Sequence, residues 1–144
     1  MPAISAKDIV LSVNMGTEIA PEWMIVACST SDGFSGSTDN VSVSTKCASG
    51  FTANLPGDKN WSFSNNSYAQ NPPEADQLSI DDLFDMWAAD ELRYWKLESI
   101  NPGEYYRYGE GYISALGETA AAGDYLTFDI TIQGNGEVTN VPST

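Results

Sequence analysis

Apolar residues recur at every second position along most of this chain. Asp8 to Asn14 (DIVLSVN) sets Ile9, Leu11 and Val13 on one face, the period of a half-buried strand. Trp23 to Cys28 (WMIVAC) is a continuous apolar run, which predicts a strand covered on both sides. Asn40 to Thr45 alternates Val41 and Val43 with serines, and Trp61 to Tyr68 starts with the same alternation before loosening at Asn65 and Asn66. Leu92 to Ser99 and the tyrosine-rich Tyr105 to Leu116 flank a turn at Asn101-Pro102-Gly103, where glycine supplies the positive φ of a type II turn. The clearest strand is Asp124 to Gln133, with Leu126, Phe128, Ile130 and Ile132 on one face.

Only one stretch breaks to a helical period. Ile80, Leu83, Phe84 and Trp87 recur at i, i+3, i+4 and i+7, so they are expected to pack together as one stripe. Ser79 is a suitable N-cap, and Asp82 sits three residues on. Leu78 and Leu83 have hydrophobic-staple spacing, and Asp81 suits the positive end of the helix. The pattern predicts a helix over about residues 79–89, delivered by Asn71-Pro72-Pro73. The order of strands, one helix and more strands predicts a mainly β fold: a β-sandwich or partly closed barrel with one flanking helix. With 144 residues, no linker and no internal repeat, a single domain over 1–144 is expected, with a polar, flexible tail from about 135 to 144.

Composition narrows the chemistry. The chain has no histidine, which removes Ser-His-Asp and Cys-His catalysis and imidazole metal sites together. Cys28 and Cys47 are too few for a disulfide framework and have no metal-ligand spacing. The formal charge is −14, the wrong sign for binding nucleic acid through its phosphates. There is no apolar run long enough for a membrane span and no basic segment followed by an apolar one at the start. Asp81, Asp82 and Asp85 form an acid cluster, read as a complement to the helix dipole before a cation site. Glycine-rich SDGFSGSTDN lacks calcium-loop spacing and reads as a turn-rich loop. No pair of carboxylates stands out for glycoside hydrolysis. These readings predict no catalytic residue, no metal and no cofactor.

One connection is anomalous. Between the Val-Ser strand and the Trp61 strand lie about fifteen residues of mostly Ser, Gly, Asn, Pro and Asp, where a hairpin normally uses two to five. Phe51 and Leu55 are expected to be exposed on this loop, at about 44–60, and exposed apolar groups on a long loop point to a partner.

In this region the sequence resembles the major tail tube proteins of long-tailed bacteriophages. The most specific piece is the ordered set Thr45, Lys46, Gly50, Leu55, Pro56, Gly57, Lys59 and Trp61. The likeness extends to KDIVLSVNMGTE and EWMIVACST as an opening strand pair, and to YLTFDITIQGNGEVT, a last strand closing on Gly-x-Gly. The chain departs from the family at Asn65-Asn66-Ser67-Tyr68 and in its tyrosine-rich NPGEYYRYGEGY.

The resemblance implies a structural virion protein that performs no chemistry. Six copies would join strands into an inner β-barrel, with the helix outside, and the rings would stack into a tube that conducts the genome. Thr45, Lys46, Gly50, Phe51, Leu55, Pro56, Gly57 and Lys59 would form the ring-stacking loop. Trp61, Leu83, Phe84 and Trp87 would pack core and helix. Implied partners are further copies, the tape-measure protein, terminator and baseplate or tip proteins, and a sheath if the tail contracts. DNA would pass without specific binding, and the protein would assemble in the host cytoplasm and end in the virion tail. A different reading from the residues alone is a carbohydrate-binding β-sandwich that stacks sugars on Trp95, Tyr94, Tyr105, Tyr106 and Tyr108.

Overall fold

The computed structural model describes residues 3–17, 19–26, 29–43, 50, 53–69, 77–101 and 103–140. The strands are β1 Ile9–Asn14, β2 Trp23–Ile25, β3 Ser29–Val43, β4 Ala53–Tyr68, β5 Arg93–Ser99, β6 Tyr106–Thr119 and β7 Thr127–Thr139. Helix α1, Ile80–Ala88, lies between β4 and β5. All seven strands belong to one antiparallel sheet in the order β2-β1-β5-β6-β7-β4-β3. The fold is mainly β with one flanking helix. The sheet curls until β1 and β3 touch, but no ladder of hydrogen bonds joins them, so it stays open.

The alternating positions fill the inside of the curl. Leu11 and Val13 of β1, Trp95 and Leu97 of β5, Ile113 of β6 and Phe128, Ile130 and Ile132 of β7 are all buried. Trp61 and Phe63 of β4 join them with ring centroids 5.1 Å apart. Burying each such side chain contributes about 1.5–3 kcal/mol.

At α1, Ser79 accepts from the Asp82 amide at 3.2 Å, and the Asp82 carboxylate accepts from the Ser79 amide at 3.2 Å. Two helix-start donors are thereby satisfied reciprocally. The buried face is not the stripe that the periodicity predicts. Leu83 and Met86 are buried, whereas Phe84 and Trp87 are 48% and 40% exposed and pack on each other at 5.7 Å. The aromatics imitate a core stripe, but the helix lies against β6, the middle strand of the sheet, and turns the i, i+3 pair Leu83 and Met86 into the core instead.

Three further expectations are corrected. SDGFSGSTDN is not a loop: all of it lies in β3, paired to β4 from Ser29↔Ser67 to Val43↔Ala53. Of the loop expected at 44–60, residues 53–60 are strand, because β4 begins at Ala53. The tail expected from 135 is ordered as far as Thr139, with Gly109↔Val138 and Tyr108↔Thr139 paired. The apolar run to Cys28 supplies only a short edge strand, Trp23–Ile25, with Gln77 bridging Ile25 in parallel. Cys28 and Cys47 lie outside the described residues.

Candidate assembly interface

The β3–β4 hairpin is the structural outlier. Its root is held in the sheet, where β4 pairs with β7 from Tyr68↔Thr127 to Ser62↔Gln133. Beyond Ser62, β4 pairs with β3 alone. The two strands leave the body as a ribbon, Gly36–Val43 against Ala53–Trp61, roughly 25 Å long at about 3.4 Å per residue. Nearly every residue from Ser35 to Ser42 and from Ala53 to Asn60 is exposed, so both faces of the ribbon meet solvent. A lone two-stranded hairpin is at best marginally stable in water.

Local chemistry keeps the ribbon extended but irregular. A bulge lies between Thr38 and Asn40, and opposite it Gly57 runs so close that a Cβ there would sit 3.0 Å from the Asp39 carbonyl. Pro56 faces Asn40, and proline is tolerated in a strand at a bulge or an edge. Lys59 Nζ donates to Thr38 Oγ1 at 3.1 Å, and Ser42 Oγ to Asn54 Oδ1 at 3.1 Å, both across the ribbon. Val41 and Leu55 face each other in register at 49% and 52% exposure. Among the described residues, neither side chain of that apolar pair joins the hydrophobic core. Gly50, with φ 82°, marks the far turn. Thr45, Lys46 and Phe51 lie outside the described residues.

The root is built differently on its two levels. Phe34, Trp61 and Phe63 form an aromatic cluster, Phe34 stacked on Trp61 at 6.4 Å. One level along lies a polar group. Asn65 and Ser67 are buried, Asn65 Nδ2 donates to Asp32 Oδ1, Ser29 Oγ donates to Asp32 Oδ2 at 2.7 Å, and Ser67 Oγ donates to Asn65 Oδ1 at 2.5 Å. Burial pushes the Asp32 carboxyl above its ordinary range, against the opposing pull of the Ser29 and Asn65 hydrogen bonds.

The sugar-stacking platform does not assemble. Trp95 is in the core, its indole N–H donating to the Gly111 carbonyl at 3.2 Å. Tyr94 and Tyr106 stack on Tyr108, at 5.3 and 6.2 Å, instead of presenting open faces together. Tyr105 lies against the Arg107 guanidinium, 4.6 Å away. Among the described residues no three acidic or cysteine side chains gather as a metal site would, and no helix is long and apolar enough to cross a membrane. Sequence reasoning missed Val41 as the partner of Leu55. The alternation at Asn40 to Thr45 was the available signal, but only the register pairs the two residues.

Comparison with known proteins bears on the whole chain. The sequence profile of the family described as "Phage tail tube protein" matches residues 3–140. No curated protein matches the sequence. Among solved structures, the tail of an empty gene transfer agent particle, refined helically with C6 symmetry, is similar at 14% identity and TM-score 0.78, over 97% of this chain and 100% of the other. The SPP1 tail tube is similar at 13% identity and TM-score 0.75, over 96% and 79%. A sheath–tube complex of the extracellular contractile injection system PVC in its extended state follows at 14% identity and TM-score 0.65, over 96% and 93%. At these identities the likeness is one of fold.

Proposed function

The chain belongs to the phage tail tube protein family and has a structural role in the tail tube; from that premise we propose how one copy engages the next. Copies close into hexameric rings, and the rings stack through the β3–β4 ribbon. The observation that carries this reading is the ribbon itself: exposed on both faces, with Val41 and Leu55 paired at its surface. An apolar pair there becomes favourable only when a neighbour covers it. Gly50, Leu55, Pro56, Gly57 and Lys59 belong to this contact, and so do Thr45, Lys46 and Phe51. The sixfold symmetry of the similar gene transfer agent tail supports the ring count.

The open curl suits the same reading. A sheet that leaves β2 and β3 as borders presents unpaired backbone groups, and pairing with a neighbour satisfies them. The formal charge of −14 per copy suits a wall that repels phosphate, so that DNA slides through without stalling. The tube encloses the tape-measure protein during assembly and meets a terminator at one end and a baseplate or tip at the other. Similar tube folds occur in complexes with a sheath, a terminator and a baseplate. The protein assembles in the host cytoplasm and carries out no reaction.

Negative-stain microscopy of the purified protein tests this. Rings or tubes are expected from the intact chain, and deletion of Gly50 to Pro56 is expected to leave a folded subunit that forms neither. A deletion variant that polymerised like the parent would overturn the role of the ribbon.

A further inference from the structure

Among the described residues the ribbon pairs with no other strand beyond its root, yet a stacking contact needs it aimed in one direction. We propose that Trp61 is the positioning residue that sets this aim. It stands at the step where β4 leaves β7, immediately beyond the last pair, Ser62↔Gln133, and it is only 5% exposed. Its indole is wedged into a slot that exists because two residues lack side chains. A Cβ on Gly134 would lie 2.2 Å from the ring, and one on Gly109 would lie 2.5 Å from it. Phe34 of β3 stacks on the indole as well.

Hydrogen bonds fix the wedge along its length. The indole N–H donates to the Gly136 carbonyl at 2.9 Å, and Gln133 Nε2 donates to the Trp61 carbonyl at 3.4 Å. One side chain at the base of the ribbon therefore touches β3, β6 and β7 together. A ribbon pivoting about its root would have to drag this indole out of the glycine slot and break its hydrogen bond. An ordinary core tryptophan would contribute stability alone. This one also governs direction, because between Ala53 and Asn60 the only strand that β4 pairs with among the described residues is β3. The consequence for assembly rests on the stacking role of the ribbon, but the aim itself does not.

The test is a distance measurement on dilute, unassembled protein. Spin labels are placed on the ribbon by Asp58→Cys and on the body by Glu118→Cys, in a background with Cys28→Ser and Cys47→Ser. With Trp61 present, a narrow distance distribution is expected. Trp61→Phe, which empties part of the slot and removes the N–H donor while keeping an aromatic ring beside Phe34 and Phe63, is expected to broaden it at least twofold. Tube yield is expected to fall tenfold or more. Gly109→Ala, which crowds the slot with the indole still present, is expected to shift the mean distance; it serves as the second variant should Trp61→Phe not fold. A broad distribution in the Trp61-containing background, or a folded variant with a lowered Tm but unchanged distance and width, overturns the proposal. Broadening with normal tube yield upholds the aiming role of Trp61 and overturns the stacking role of the ribbon instead.

Discussion

The two halves of β4 belong to one strand and obey opposite rules. From Trp61 to Tyr68 the chain alternates buried and exposed residues, flanked by β7 on one side and β3 on the other. From Ala53 to Asn60 no such alternation exists, and the positions are filled by an alanine, two asparagines, an aspartate, a lysine, a proline, a glycine and one leucine. The first half is specified by the core of its own subunit. The second half is specified by its bulge, its cross-strand hydrogen bonds and, in our reading, a neighbouring copy. Hydrophobic patterning thus reports on the core that a residue serves, and falls silent along a ribbon whose two faces both meet solvent.

The contrast can be broken by substitution, judged by the unfolding free energy of the unassembled subunit. Trp95→Ala removes a fully buried indole from the body and is expected to cost about 3–5 kcal/mol, read as a lowered denaturant midpoint. Ser79→Ala removes the α1 cap and is expected to cost about 1 kcal/mol, again in the body. Val41→Ser with Leu55→Ser acts only on the ribbon, so its effect is expected to stay within about 0.5 kcal/mol while tubes disappear from micrographs. A large loss of subunit stability in that double variant would place the pair in the subunit's own core and erase the contrast.

The smallest effect is expected at the polar level of the root. The Asp32 carboxyl is held above its ordinary range in the folded protein by burial, so the native state binds its proton more readily than the unfolded chain does. The resulting stabilisation is full below the unfolded carboxylate range and disappears as pH rises through the folded one. Asp32→Asn, an amide that stays neutral, is therefore expected to raise Tm slightly at neutral pH. That gain should shrink toward zero in acid, as thermal melts across pH would record. A variant that lost stability equally at every pH would mean that the hydrogen bonds of Asp32 outweigh its burial.

Much of the body was readable. The faces of β1 and β7 follow from period-two spacing, and the helix start follows from Ser79 and Asp82; Trp95 of β5, read as a sugar-stacking candidate, is in the core. The helix face was misread because Phe84 and Trp87 have the bulk of core residues without the position. The ribbon was misread for a more general reason. A strand with solvent on both faces needs no alternation, so serine, glycine and asparagine in Ser31 to Asn40 look like turn chemistry. The polar interior at Asn65 and Ser67 was visible only as a lapse in alternation; its partner, Asp32, sits on a strand that the sequence presents as a loop. What singled out the region was its length and its exposed Leu55, together with the ordered family pattern from Thr45 to Trp61.

The carboxylate–amide contact between Asp32 and Asn65 carries a consequence for how the hairpin zips up. A polar ribbon can slide against itself by a residue at little cost, since neither face prefers the dark side of the protein. At the root a one-residue slip of β3 is costly: it would turn Phe34 away from Phe63 and leave the buried Asn65 without Asp32. The interior thus proofreads the alignment of a ribbon that lies beyond it, and each newly made copy presents Val41 and Leu55 at the same height.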